Sequence, residues 1–196
     1  MSATAAELLQ ALAAYAPGGE EERRASAAIR DLVTRSPRAF SRANPEGHIT
    51  ASAVVASRDG ADFVFVWHRK LARWLQPGGH IEPSDESVFA AALREAREET
   101  GIEAFAFPIG DRILGVDVHP IPAHGPDPAH FHYDILHLFT APETLPALPE
   151  DCALFTLDQA LTAGIDDSLA RALRRATDLL RGLAPVPTTY HLPPTT

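Results

Sequence analysis

Cysteine and lysine are nearly absent from this chain of 196 residues, and positive charge is scarce overall. Cys152 is the single cysteine, which excludes an intrachain disulfide and is typical of a reducing compartment. We interpret Cys152 as a small buried residue rather than a nucleophile. Lys70 is the only lysine, and the formal net charge is −9. Because a broad nucleic-acid-binding surface needs clustered positive charge, the composition argues against such a surface.

Long hydrophobic runs are also missing. No apolar stretch is long enough to span a bilayer, and the N-terminus has neither the basic residues nor the uninterrupted apolar run of a signal peptide. These absences predict a cytoplasmic protein without a membrane partner. An apolar content of 45% and a charged content of 22% are typical of a globular protein, and the length suits one domain with modest additions.

The stretch over residues 77–102 combines a glycine turn with a capped helix. Ser84 and Asp85 precede an alanine-rich run, which predicts a helix N-cap at one of them. Gly101 predicts the helix end, since glycine readily adopts the left-handed conformation found there. The helical period gives two roughly opposite stripes, an apolar one and an acidic one. They consist of Phe89, Leu93, Ala96 and Thr100, and of Glu95, Glu98 and Glu99.

The acidic stripe has two interpretations. Three carboxylates on one turn repel one another by a few tenths of a kcal/mol per pair, roughly, and are often only a solvated helix face. However, these glutamates follow the Gly78-Gly79 turn, and a hard divalent cation needs several oxygen ligands at one point. The pattern therefore favours a site for magnesium, which binds a few carboxylates together with substrate phosphates.

Residues 94–102, REAREETGI, resemble the REUxEExGU core of the Nudix box, where U is a bulky apolar residue. Ala96 is smaller than the residue usual at its place. Upstream, the family has a glycine six residues before a glutamate, and that glutamate eight residues before the arginine. Glu86 has the required distance from Arg94, but His80 occupies the glycine position; Asp85, counted from Gly79, is the alternative acidic residue.

The resemblance implies the Nudix fold, an α+β sandwich with a mixed β-sheet between helices, and a metal-dependent pyrophosphohydrolase. The expected substrate is a nucleoside diphosphate linked to another moiety, and the expected cofactor is Mg²⁺, with Mn²⁺ possible. The resemblance assigns catalysis to Glu95, Glu98, Glu99 and Arg94, with Arg94 orienting the glutamates. It assigns metal binding to the three glutamates and to the carbonyl of Gly78.

The chain divides by pattern into residues 1–40, residues 41–183 and a Pro/Thr-rich tail over residues 184–196. The first segment predicts two helices, broken at residues 17–19, that pack on the core; a lid or a homodimer contact is the alternative. In the second, residues 49–56 and 63–67 predict a pair of strands, and residues 105–118 predict two more. Leu169, Leu173, Ala176 and Leu180 predict a C-terminal helix whose arginines lie mostly outside.

Histidines are concentrated after the box. His119, His124, His130, His132 and His137 alternate with Asp117, Asp127 and Asp134. Strand alternation places His130, His132 and Asp134 on one side. They are either polar residues of a wet strand face or the lining of a pocket, with imidazole as phosphate ligand, base or extra metal ligand.

This segment resembles a bacterial Nudix subgroup with DxHPIPA and HxHxD sequences. The resulting candidates for substrate binding are Arg69, from the basic cluster before the box, and His80, His119, His130, His132 and Asp134.

Two other classes compete with a hydrolase. One is a catalytically silent Nudix-fold module that binds a ligand or regulates, although such a binder has no need of three glutamates at these spacings. The other is an isoprenoid diphosphate isomerase, which shares the fold but uses a cysteine in its cleft, whereas Cys152 follows the box at a distance of many residues.

Overall fold

The computed structural model describes residues 3–123, 125 and 128–183. His124, Asp127 and the tail over residues 184–196, each named in the sequence predictions, lie outside the described residues. The elements follow one another along the chain as two helices, four strands, a helix, three strands and two helices. They are α1 (Ala3–Ala14), α2 (Glu20–Arg35), β1 (Gly47–Ala56), β2 (Asp62–His68), β3 (Arg73–Leu75), β4 (Gly78–His80), α3 (Val88–Thr100), β5 (Ile113–Ile121), β6 (His130–Thr140), β7 (Cys152–Thr156), α4 (Leu157–Thr162) and α5 (Asp167–Gly182).

The sheet is mixed, and β1 is its centre. The main path runs β3-β2-β1-β6-β5, while β4 pairs with β1 and β7 pairs with β2. β1 and β6 are parallel, with Gly47 opposite Phe131 and Ala56 opposite Thr140. β4 is antiparallel to the middle of β1, at residues 50–52, and β2 is antiparallel to its end. The two partners of β1 therefore diverge midway along the strand, and β4 is left free to approach α3.

Helices cover both faces of the sheet, as predicted. Ile49, Ala51 and Ala53 of β1 belong to a buried cluster with residues of α1, α2 and α3. Val54 and Ala56 pack instead with α4 and α5. The two N-terminal helices thus share a core with the sheet, and they begin and end close to the residues that their sequence pattern predicts. Among the described residues, no helix is both long and apolar enough to cross a membrane.

Helix α3 starts later than the sequence predicts. Its N-cap is Ser87, whose hydroxyl accepts a hydrogen bond from the Ala90 amide at 3.0 Å. Neither Ser84 nor Asp85 caps the helix, because Asp85 instead accepts from the Glu82 amide and from Arg94. The predicted end is correct: Gly101 is left-handed at φ 68°.

Two further predictions were wrong in part. Residues 105–118 do not form two strands, since before β5 only an isolated bridge joins Ala106 to Thr140. Arg175 of α5 does not lie outside. Its guanidinium contacts Glu22 at 2.7 Å and the Tyr15 hydroxyl at 2.8 Å, so it connects α5 to the N-terminal helices.

Candidate active site

The glycines of β4 allow α3 to approach the sheet closely. The Gly78 amide donates a hydrogen bond to a Glu99 carboxylate oxygen at 3.0 Å. A Cβ atom on Gly79 would lie 2.5 Å from Oε1 of Glu95, and one on Gly78 would lie 2.8 Å from Cα of Ser52. Any side chain at these positions would push either the helix carboxylates or β1 away. The glycine pair therefore makes room for the glutamates.

Arg94 is the hub of the carboxylate cluster. Its guanidinium donates two hydrogen bonds to Asp85, at 3.0 and 2.9 Å, and one to Glu95 at 2.9 Å. It also reaches Glu98 at 3.1 Å and the His80 carbonyl at 2.9 Å. One planar cation with several fixed donors thus joins the loop after β4 to two glutamates of α3.

The geometry distinguishes the two upstream acids. Asp85 holds Arg94 through both carboxylate oxygens, and its side chain is 6% exposed. Glu86 is exposed. The acidic residue that contacts the arginine is therefore Asp85, so the longer loop of this chain moves that partner by one position.

Burial sets the electrostatics of the glutamates. Burial raises the pKa of Glu99 to about 7, and the Gly78 amide offsets only part of this effect. Burial also raises the pKa of Glu95, although the Arg94 guanidinium opposes it. Glu98 is more accessible, with 59% of its side chain exposed. Two half-buried carboxylates with one amide and one guanidinium between them have oxygen atoms left for a hard cation.

Cys152 lies beside this cluster in space although it is distant in sequence. Its thiol donates a hydrogen bond to the backbone carbonyl of Glu99, with a sulfur–oxygen distance of 3.2 Å. Burial raises the pKa of the thiol to about 11, so the group is protonated at neutral pH. Since the thiolate is the nucleophilic form, this environment makes Cys152 a poor nucleophile.

A second polar cluster lies on the β1–β6 face, and its centre is a residue that the sequence reasoning missed. His48 of β1 is 1% exposed and pairs in register with His132. Its ring centroid is 4.9 Å from His80, 5.2 Å from His130 and 4.9 Å from His132. His119 adjoins the group, 5.6 Å from His132. The predicted histidines His80, His119, His130 and His132 are thus brought together.

Carboxylates border the histidine cluster. Asp134 is buried and accepts hydrogen bonds from Thr50 at 2.8 Å and Ser52 at 3.0 Å. Burial raises its pKa, which these two hydroxyl groups oppose. Asp117 contacts Nδ1 of His119 at 2.8 Å. Although burial lowers the pKa of His119, this contact outweighs it and the pKa is raised.

Three other imidazoles of the cluster, those of His48, His80 and His132, are neutral near pH 7. Burial lowers the pKa of His48 and of His80 to about 4, and that of His132 to about 3. Neighbouring histidines add to the effect, because protonation of one disfavours protonation of the next. The rings of His48, His80 and His132 therefore present lone pairs rather than positive charge.

Two other residues named in the sequence analysis lie outside the histidine cluster. Arg69 is largely exposed, and its guanidinium lies 3.9 Å from the Asp151 carboxylate. His137 is in the same dense sequence segment, but its ring packs against Phe89 of α3 at 5.2 Å between centroids. The reason is strand alternation: His137 is five residues after His132 and so faces the opposite side of β6.

Sequence comparison shows the family. The NUDIX domain family matches residues 47–176, which include β1, β4 with its two glycines, α3 and most of α5. The chain belongs to the NUDIX family, whose members are generally pyrophosphohydrolases and typically use a divalent metal.

Similar proteins are distant or only partly aligned. An uncharacterized Nudix hydrolase, NudL, of Citrobacter koseri is 39% identical over 62 residues, which are 29% of this chain and 32% of that protein. The Ap4A hydrolase of C. elegans is 18% identical, covering 67% of this chain and 97% of that one, with a TM-score of 0.47. The MutT protein of Methanosarcina mazei Go1 is also 18% identical, covering 68% and 94%, with a TM-score of 0.49. Such similarities carry no information about the substrate.

Proposed function

We propose that this chain is a metal-dependent pyrophosphohydrolase that cleaves the diphosphate of a nucleoside diphosphate linked to another moiety. The observation that carries the proposal is the position of Glu95 and Glu99 against Gly78 and Gly79 of β4, with Arg94 joining Glu95 to Glu98. Membership of a family of pyrophosphohydrolases supports the reaction class. The net charge of −9 supports a small substrate over a nucleic acid.

The donor set fits a magnesium or manganese ion. Carboxylate oxygens are the ligands these hard cations prefer, and magnesium is held by few carboxylates when substrate phosphates complete its shell. Because Gly79 has no Cβ atom, the Glu95 carboxylate has room to lie against β4. Glu98 and Glu99 are the first candidates as direct ligands, with Glu95 and the Gly78 carbonyl as further oxygens.

Each protein group has a distinct role in the proposed reaction. When bound, the ion supplies neutralisation of diphosphate charge and acidifies a water molecule. Glu99 is fixed by the Gly78 amide, so its remaining oxygen has a defined direction. Arg94 is held by Asp85, and it orients Glu95 and Glu98. The residues of the histidine face that adjoin β4, His80 and His132 among them, are candidates to bind the group beyond the diphosphate.

The test is release of phosphate from a panel of nucleoside diphosphate derivatives, with and without Mg²⁺ or Mn²⁺. A coupling pyrophosphatase and phosphatase detect either cleavage product. We expect metal-dependent release from at least one compound, lost in Glu98→Gln and kept in Glu103→Gln, an exposed carboxylate just beyond α3. No release from any compound, combined with tight binding of one of them, would favour a ligand-binding module instead.

A further inference from the structure

His48 is a buried imidazole that lacks hydrogen bonds to the described residues. Among the described residues, no hydrogen-bonding atom lies within reach of either of its ring nitrogens. A buried polar group that is left unsatisfied destabilises the fold. The imidazole rings of His80, His130 and His132 surround it, at 4.9, 5.2 and 4.9 Å between ring centroids. A ligand that accepts electron pairs, such as a metal ion, would satisfy several of these imidazole nitrogens at once.

Three of these rings converge on one point. His48, His130 and His132 each offer a ligand nitrogen, and the three atoms lie within 4.8 Å of one another. They come from different strands: His48 from β1, and His130 and His132 from β6, two residues apart and therefore on one face. Ligands fixed on paired strands are better positioned than ligands on loops.

His130 and His119 each make a hydrogen bond through Nδ1, which leaves Nε2 of each ring unused. Nδ1 of His130 lies 2.9 Å from the Pro128 carbonyl, which can only accept, so this nitrogen carries the proton and Nε2 keeps its lone pair. Nδ1 of His119 is held in the same way by Asp117. Metal-binding histidines are commonly oriented through their second nitrogen by a carbonyl or carboxylate. His119, at the edge of the cluster, is therefore oriented in the same way as His130.

The charges around the cluster permit a cation. Arg42 is close enough to lower the pKa of His48 and His80 and opposes positive charge there. Asp134 and Asp117 offset it on the same face. Because the ligand atoms are imidazole nitrogens, magnesium is the wrong ion and a zinc-class ion is the right one.

We propose that His48, His130 and His132 form a binding site for a divalent transition-metal ion of the zinc class, separate from the carboxylate cluster of α3. Three protein ligands leave at least one position for water or for an oxygen of a bound molecule. The three-residue strand β4 adjoins both centres, with Gly78 and Gly79 against Glu99 and Glu95 and with His80 against His48. The strand β4 thus contacts both centres, and the histidine site itself does not depend on the hydrolase activity.

The experiment measures Zn²⁺ binding to the metal-stripped full chain in excess Mg²⁺, which occupies carboxylate sites and leaves imidazole sites free. We expect one tight Zn²⁺ per chain. The double variant His48→Gln/His132→Gln should lose at least about 100-fold in affinity, since even loss of an outer-shell partner costs about 10–100-fold. His68→Gln, which changes an exposed histidine at the end of β2, is the matched control and should bind Zn²⁺ like the wild type.

Spectroscopy on the wild type gives a second measurement that does not require the variants to fold. X-ray absorption of the Zn²⁺ form, or the visible spectrum of the Co²⁺ form, should show at least three nitrogen ligands. Coordination by oxygen alone, or unchanged affinity in a folded double variant, would refute the site. Binding of inorganic phosphate by the stripped chain with no tight Zn²⁺ would make the cluster an anion site instead.

Discussion

The two glycines of β4 are the residues on which the glutamate geometry depends most directly. Gly79→Ala should place a methyl group 2.5 Å from a Glu95 oxygen and displace that carboxylate by about 1 Å or more. Misplacement on this scale costs about 100-fold in rate. We therefore expect metal-dependent turnover to fall by about that factor, with the far-UV circular dichroism unchanged. Gly182→Ala is the control, because a Cβ atom there meets no atom within 4 Å; equal activities of the two variants would contradict the argument.

A single substitution at Cys152 also tests the isomerase alternative. Its thiol is protonated at neutral pH and hydrogen-bonded to a backbone carbonyl, so it has no chemical role in the proposed reaction. Cys152→Ala should retain turnover within about twofold and lose about 1 kcal/mol of stability, from one hydrogen bond and some packing. Turnover is measured with the substrate from the panel, and stability by urea unfolding. Complete loss of turnover in a folded Cys152→Ala protein would bring the thiol back as a reacting group.

At the scale of elements, Arg94 ties the loop after β4 to α3. Lysine keeps the charge but has only three donors, so it cannot replace the five hydrogen bonds that Arg94 makes to Asp85, Glu95, Glu98 and the His80 carbonyl. Arg94→Lys should therefore loosen the loop and reduce turnover by at least about 10-fold, while leaving the fold intact. Arg97→Lys, on the same helix, is the matched control, since Arg97 donates to the Glu103 carbonyl rather than to the glutamate cluster. The measurement is the turnover rate of both variants at saturating Mg²⁺. Equal rates for Arg94→Lys and Arg97→Lys would contradict the proposed role of Arg94.

The elements also show what a sequence can and cannot predict. The helical periodicity of the apolar residues and the terminating Gly101 identified α3 correctly, because both are local properties of the chain. The predicted start of α3 was wrong because Asp85 accepts hydrogen bonds from Arg94. That contact spans nine positions, and local capping preferences do not include it. The first of the two strands expected within residues 105–118 is reduced to a single bridge at Ala106.

The histidine cluster shows the same limit more strongly. His130 and His132 are predicted together by alternation within one strand. His48 joins them only because β1 and β6 are parallel and in register, which places residues 84 positions apart side by side. Nothing in the sequence around His48 signals this partner.

At the scale of the whole molecule, the buried pair Glu22–Arg175 connects the two ends of the fold. Glu22 is 3% exposed and 2.7 Å from the guanidinium. Removing one partner of a buried pair leaves a charge without compensation and costs about 3 kcal/mol or more. Glu22→Gln should therefore lower the free energy of unfolding by about this amount at pH 7. Glu21→Gln is the control, since Glu21 is exposed and pairs with Arg171 at the surface.

The same pair predicts a pH dependence. Burial raises the pKa of Glu22, but the Gly18 amide and Arg175 outweigh it and the net effect is a pKa below 4.5. A carboxyl group with a lowered folded-state pKa contributes stability that is present above its unfolded pKa and is lost as the pH falls through the folded value. The difference in stability between wild type and Glu22→Gln should thus be full at pH 7 and shrink below about pH 4.5. Urea unfolding across this range measures it; a difference independent of pH would rule out the linkage.

The most direct test of the central claim compares wild type with Glu99→Gln in a Mg²⁺ titration of turnover. Glutamine keeps the shape of Glu99 and can still accept from the Gly78 amide, so only the charge offered to the cation is removed. The account predicts no turnover without metal, saturable activation of the wild type, and a fall of at least about 100-fold in the variant at any Mg²⁺ concentration, the loss of an outer-shell partner alone costing about 10–100-fold. Full metal-dependent turnover in both Glu99→Gln and Glu98→Gln would contradict it.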